Sequence, residues 1–548
     1  MKKLFPLLAF LISFQISAQE DAWVYLKDKP SQATFLATPL TMLSQRALDR
    51  RTRQNIVLDS KDVPLEASYY TQIKNAVGIT VLAKSKWLNA IHVQGTQNNI
   101  NNLKTNYSFV DKVEFANRAL NAKSSRVISA QKKQKKYTVA ATDINYGSAT
   151  NQVEMLKGDY LHEQGFTGSG MHIAVIDGGF ANVNTLDAFK KIRDNNQILG
   201  GYDYVKRNAD FYVKDFSNGN IVNTHGTKVL STIAGNLTNQ YVGTAPDASY
   251  YLFITEDVFN EVPLEESLWV EAAERSDSLG VDVINTSLGY SVYFDETKYN
   301  YSYADMNGTT AFISKGAAIG VSRGMIIVTS AGNEGNDPWK YMNAPADVAT
   351  VFTVGAVNAS RVIAPFSSFG PTSDGRVKPD VLAQGQSAVV INHLTSAPQT
   401  GNGTSYSSPI MTGVVACFWQ AFPNATNTEI MQRIRESADR YSNPHEQYGY
   451  GIPNFETAYA AVLNIDKEKF MNGVSVYPNP INSRFSIQTN AIDINSLSIQ
   501  IYNVIGKKVF EKVSLESNTI DVSHLNAGIY ILKIMYDSAQ KTIKLVKR

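Results

Sequence analysis

Residues Met171–Asp177 read MHIAVID. The run Ile173–Ile176 is apolar on every side, rich in Ile and Val, and too short for a helix. It predicts a strand buried on both faces. It ends on a carboxylate, Asp177, followed by Gly178 and Gly179. The same grammar recurs outward from this point. THGTKVLSTIAGNL (224–237) and LEESLWVEAAERSDSLG (264–280) have helical spacing, while ASYYLFIT (248–255), VDVINTSLG (281–289) and IIVTS (326–330) are short buried runs. Buried strands alternating with helices predict an α/β fold, a doubly wound parallel sheet covered on both faces. In such sheets, ligands sit beyond the carboxyl ends of the strands.

Reactive groups stand at those ends and at helix starts. Asp177 closes the first strand. His225 opens a helix with small residues on its face. Asn333 follows the strand ending at Ser330, in SAGNEG. GNGTSYSSPI (401–410) sets Ser405, Ser407 and Ser408 ahead of a long apolar helix, with Pro409 expected to be tolerated as a helix-start residue. Each has a plain alternative: a turn carboxylate, a core histidine, capping serines. Together they describe one chemistry. An alcohol needs a base, and the base needs an orienting acid. The chain order Asp, His, Ser is one known solution, and an amide such as Asn333 can donate to a developing oxyanion.

The motifs in order are VID with Gly178, HGTKVLSTIAG, VINTSLG, SAGNEG and GTSYSSP, with FSSFGP and KPDVLAQG between the last two. On these residues, 146–465 resembles the subtilisin-like serine proteases (subtilases). The resemblance implies catalytic Asp177, His225 and Ser405, and an oxyanion hole of Asn333 and the Ser405 backbone N–H. It also implies a substrate-binding strand edge at Ser287, Leu288 and Gly289, no cofactor for the chemistry, and protein or peptide substrates. Ser407 and Ser408 are read as helix-start and packing residues. Two departures stand out: Gly178 replaces the usual Ser or Thr, removing a hydroxyl, and Gln384 replaces a usual Pro. Subtilases often bind structural calcium, but no acidic loop assigns ligands here, and no metal residue is named. The tyrosine-rich stretch Tyr290–Gly308 reads equally as a substrate-access loop or a structural insertion.

The flanks differ in composition. Residues 1–18, MKKLFPLLAFLISFQISA, carry two lysines, a short apolar core and a small-residue cleavage site, which predicts a secretory signal peptide. Residues 19–136 read as a small α/β unit ending in a basic, aperiodic linker, and resemble a subtilase propeptide that inhibits its own enzyme. The peptidase is expected over 137–470. Residues 471–548, with VYPNP, IYNVIGKKV, LNAGIYILKI and a basic end, read as a small β-sandwich. They resemble the sorting domain of the type IX secretion system of Bacteroidetes, which makes that machinery a partner.

The chain has 548 residues, is 43% hydrophobic, and carries a net charge of +2. That balance makes no case for nucleic acid as a partner. Cys417, the one cysteine, lies in VVACFWQ and is expected to be buried and inert. The expectation is a monomeric serine endopeptidase, made as an inactive preproprotein and secreted or held at the cell surface. The rival class, a binding protein on a dead protease scaffold, is disfavoured by the intact set of four chemical residues.

Overall fold

The structure is a computed structural model that describes residues 19–121, 144–489, 493–536 and 539–548. The expected signal peptide at 1–18 and the expected basic linker after Asn121 fall outside the described residues. The chain divides into two compact units, one ending at Glu456 and one spanning Thr457–Arg548.

The first unit opens with β1 (Gln19–Leu26), α1 (Gln45–Arg53), α2 (Ala67–Lys74), β2 (Ile79–Ser85), β3 (Ala90–Thr96), α3 (Gln97–Asn106) and β4 (Val110–Phe115). The strands form one antiparallel sheet in the order β2-β3-β1-β4. Ser44 and Thr96 cap α1 and α3 through their hydroxyls. The two-residue period of β1 decides what each face does. Ala22 and Val24, paired with Val93 and Ile91, join Ile73, Ile100 and Leu103 in the core under α2 and α3. Trp23 and its partner His92 point the other way, toward the peptidase.

The rest of this unit holds β5 (His172–Asp177), β6 (Ile198–Asp203), α4 (His225–Ala234), β7 (Ser249–Ile254), α5 (Leu264–Leu279) and β8 (Val283–Thr286). Next come α6 (Phe312–Ser322), β9 (Ile326–Ser330), β10 (Phe352–Val357), β11 (Val381–Gln384) and α7 (Thr404–Ala421). The seven strands form a parallel sheet in the order β11-β10-β9-β8-β5-β7-β6. Helix α4 packs with α7, and α5 with α6, so Ile173–Ile176 and Ile326–Val328 are fully buried. The chain runs from β5 out to β6, returns to β7, then crosses to β8 and steps outward the other way. The reversal between β5 and β8 opens a crevice at their carboxyl ends. Asp177 and Ser287 lie there.

The second unit contains β12 (Ser475–Tyr477), β13 (Arg484–Gln488), β14 (Ser498–Asn503), β15 (Lys508–Lys512), β16 (Thr519–Asp521), β17 (Gly528–Tyr536) and β18 (Ala539–Lys547). They make two antiparallel sheets, β12-β13-β16 and β15-β14-β17-β18. Alternate residues from both, among them Phe485, Ile487, Ile499, Ile501, Leu532 and Leu545, share one apolar core. This is the expected all-β module.

Candidate active site

Asp177 ends β5 with its side chain wholly buried. Its Oδ1 accepts from the Gly178 N–H (2.8 Å) and pairs with His225 Nδ1 (2.8 Å). Its Oδ2 is buried and accepts nothing among the described residues. His225 is the first residue of α4, and its imidazole is 37% exposed, so one ring edge meets Asp177 and the other faces solvent. Burial opposes the imidazolium, but the Asp177 carboxylate outweighs it and holds the His225 pKa above the usual 6.5.

Ser405 sits in the first turn of α7, after Gly403 in an extended conformation with φ of 147° that strains any residue with a Cβ. Its hydroxyl donates weakly to the Ser287 carbonyl (3.4 Å), and the described hydrogen bonds do not link it to His225. Pro409 lies beyond the first turn of α7, contrary to the expectation that it is a helix-start residue. Its ring removes the N–H that would bond the Ser405 carbonyl four residues back. Ser287 Oγ donates to that carbonyl instead (3.0 Å). The missing helical bond thus ties the end of β8 to the serine. Ser407 and Ser408 are buried, donating to the Thr404 carbonyl and to Asn285.

Asn333 projects from the segment after β9. Its Oδ1 accepts from both the Thr404 N–H (2.8 Å) and the Thr404 hydroxyl (3.0 Å). With the oxygen so engaged, the amide NH₂ is left as a donor beside Ser405. His225, Ser287, Leu288, Gly289, Asn333 and Ser405 line one cleft of about 570 Å³. That volume suits a ligand site, and every residue predicted from sequence either lines it or bonds a residue that does.

Sequence reasoning missed Glu256, which follows β7 in TEDVFNE. A Cβ built on Gly178 would lie 2.7 Å from Glu256 Oε2. The glycine that replaces a hydroxyl-bearing residue therefore makes room for a carboxyl beside Asp177 and His225. Burial, with the Asp177 charge beside it, pushes the Glu256 pKa up to about 7. An acid-rich run directly after a buried strand was the available signal. Cys417, as expected, is buried, and burial pushes its thiol pKa up. Among the described residues no group of three or more His, Cys, Asp or Glu side chains could hold a metal ion, and no calcium ligands are assigned.

The N-terminal sheet lies on α5 and α6. Trp23 stacks on Phe312 (4.7 Å) and donates to Ser267 (2.8 Å). Glu274 accepts from Ser85 Oγ and from the Trp87 N–H. Arg50 and Arg51 of α1 converge on buried Asp277. The tyrosine-rich stretch also belongs to this interface. Tyr299 donates to Asp21 (3.1 Å), while Arg118 donates to the Tyr299 and Asn300 carbonyls and lies 4.3 Å from the Tyr301 ring centre.

Comparison with known proteins agrees with this architecture. Residues 168–451 match the subtilase family, 21–136 the peptidase S8 propeptide domain of Bacteroidota, and 475–548 the secretion system C-terminal sorting domain. Subtilisin E of Bacillus subtilis (strain 168) is 30% identical over 323 residues, covering 58% of this chain and 72% of that protein. Subtilisin of Bacillus pumilus is also 30% identical, over 58% of this chain and 99% of its own length. Serine protease AprX of Bacillus subtilis (strain 168) is 26% identical, over 54% and 67%. The sorting domain marks the product for secretion or the cell surface, and no helix among the described residues is long and apolar enough to cross a membrane. The chain belongs to the subtilase family: it is a serine endopeptidase that carries a propeptide domain and a C-terminal secretion sorting domain and needs no cofactor for catalysis.

Proposed function

We propose that Ser405 is the nucleophile, His225 the general base and acid, and Asp177 the group that orients and stabilises the imidazolium. Asn333 Nδ2 and the Ser405 N–H receive the oxyanion. A peptide lies extended along Ser287, Leu288 and Gly289, adding to that edge through main-chain hydrogen bonds. The scissile carbonyl then faces Ser405. A rotation of the Ser405 side chain brings its hydroxyl from the Ser287 carbonyl to His225, a bond that commonly tightens only with substrate present. His225 takes the proton, then returns it to the leaving amine; water repeats the cycle on the acyl-enzyme.

The observation that carries this reading is the 2.8 Å Asp177–His225 pair opening on the same cleft as Ser405 and Asn333. The propeptide inhibits the enzyme until the linker is cut, and the sorting domain engages type IX secretion machinery. Turnover of casein by purified mature enzyme tests the catalytic part. Ser405→Ala or His225→Ala lowers kcat roughly a million-fold, and Asn333→Ala about 10²–10³-fold because one oxyanion donor remains. A near-normal rate for any of the three removes that residue from the site.

A further inference from the structure

The sheet order sets two walls around the Ser287–Gly289 edge. On one side the chain leaving β9 supplies Gly332, Asn333 and Glu334. On the other, two strands away, the chain leaving β7 supplies residues 256–261. Successive side chains of an extended peptide point to opposite faces. The residue whose carbonyl reacts beside Asn333 sends its side chain toward the Glu334 wall. The residue before it then points at His225 and the 256–261 wall.

That second wall carries carboxyls that no lysine or arginine pairs with among the described residues. Glu256, seated over Gly178, accepts no side-chain hydrogen bond among the described residues, and neither does the Glu261 carboxyl; Asp257 and Asp295 are the other acids on this side of the cleft. Behind them Glu265 is buried and, among the described residues, is held by the Asp257 and Val262 backbone N–H groups alone. The charges that act on Glu261 and Glu265 are all negative, and burial with this mutual repulsion pushes their pKa values up to about 8 and about 10. Tyr290 is 2% exposed, its phenolic oxygen has no hydrogen-bond partner among the described residues, and the charges that act on it are Glu265, Glu261, Glu256 and Glu266. Among the described residues His225 is the one cationic group that acts on Glu256. Half-buried carboxyls of this kind are stabilised by a cation that brings its own donors.

We infer that Glu256 and Glu261 form a specificity subsite for a basic side chain, arginine or lysine, at the second residue before the scissile bond. The inference rests on the catalytic reading above. A guanidinium there meets Glu256 beside His225, with its remaining N–H groups directed at Glu261. Gly178 belongs to the same device, since any side chain at 178 would displace the Glu256 carboxyl.

The test uses mature enzyme at pH 8 and four peptides of one sequence, with arginine, citrulline, alanine or glutamate at that position. Citrulline keeps the shape of arginine and loses its charge. The wild-type enzyme is expected to prefer arginine to citrulline by about tenfold or more in kcat/KM, the scale of a charge-assisted hydrogen bond, with glutamate poorest. Glu256→Gln brings the arginine-to-citrulline ratio close to one, and Glu261→Gln reduces it in part. Only ratios within one enzyme are compared, so a general loss of activity in a variant does not mimic the effect. A fluorophosphonate label on Ser405, checked in parallel, separates the two claims. Labelled enzyme that cleaves arginine and citrulline peptides equally overturns the subsite and leaves the catalytic reading standing. Enzyme that neither takes the label nor cleaves any peptide overturns both.

Discussion

Replacing Asp277 by Asn tests what holds the propeptide on its enzyme. In the zymogen Asp277 Oδ1 receives Arg51 Nη1 (2.8 Å) and Arg50 Nη2, and Oδ2 receives Arg51 Nη2 (2.9 Å). None of the three side chains is more than 3% exposed, so solvent does not screen the cluster. Asparagine keeps the shape and removes the charge, leaving two buried guanidinium groups to share what remains. Breaking a buried pair by removing one partner costs about 3–5 kcal/mol. Arg51 keeps Asp62 at 2.7 Å, which favours the lower end. About 3 kcal/mol is roughly a hundredfold in a binding constant. The assay is inhibition of mature enzyme by separately added propeptide, wild-type against Asp277→Asn, with each enzyme's own turnover measured as a folding check. A contact at the rim gives the contrast. Lys298 reaches Glu20 at 3.4 Å with its side chain 24% exposed, and Lys298→Ala is expected to cost no more than about fivefold, as partly exposed pairs do. Inhibition constants for Asp277→Asn within threefold of wild type would refute the reasoning, because the charge cluster would then contribute nothing net to docking.

Two further predictions concern catalysis and export. Asp177 holds the His225 pKa above 6.5, and the neutral imidazole is the base, so activity rises with pH through that raised value and stands below half of its plateau at pH 6.5; full activity at pH 6, measured with an uncharged peptide, would contradict it. The strands from Ser475 onward close their own apolar core, so a chain ending before Met471 should keep peptidase activity but accumulate in the periplasm of the native host; undiminished activity in the medium would show that the module does not sort.

What the sequence determined by itself was what neighbouring residues can encode. A buried strand or an amphipathic helix is written in the spacing of apolar side chains along a few residues. MHIAVID, VDVINTSLG and the α7 stretch therefore announced their elements, their order implied a parallel sheet, and the ordered motifs carried Asp177, His225, Asn333 and Ser405 with them. The propeptide strands and the all-β module were legible for the same reason. The tertiary structure alone decided which distant groups meet. Glu256 is 78 residues from Gly178 in the chain, and only the position of β7 beside β5 lays its carboxyl over that glycine. Pro409 read as a helix-start residue because spacing cannot tell where α7 begins; its place past the first turn, and the Ser287 hydroxyl that replaces the lost N–H, depend on β8 ending under that helix. The tyrosine-rich stretch read equally as an access loop or a structural insertion, and only the fold sets its Asp295 at the cleft and its Tyr299 against the N-terminal sheet. Local spacing records the conformation of a segment, whereas the pairing of charges and hydroxyls hundreds of residues apart is settled only when the strand order of the sheet sets their neighbours.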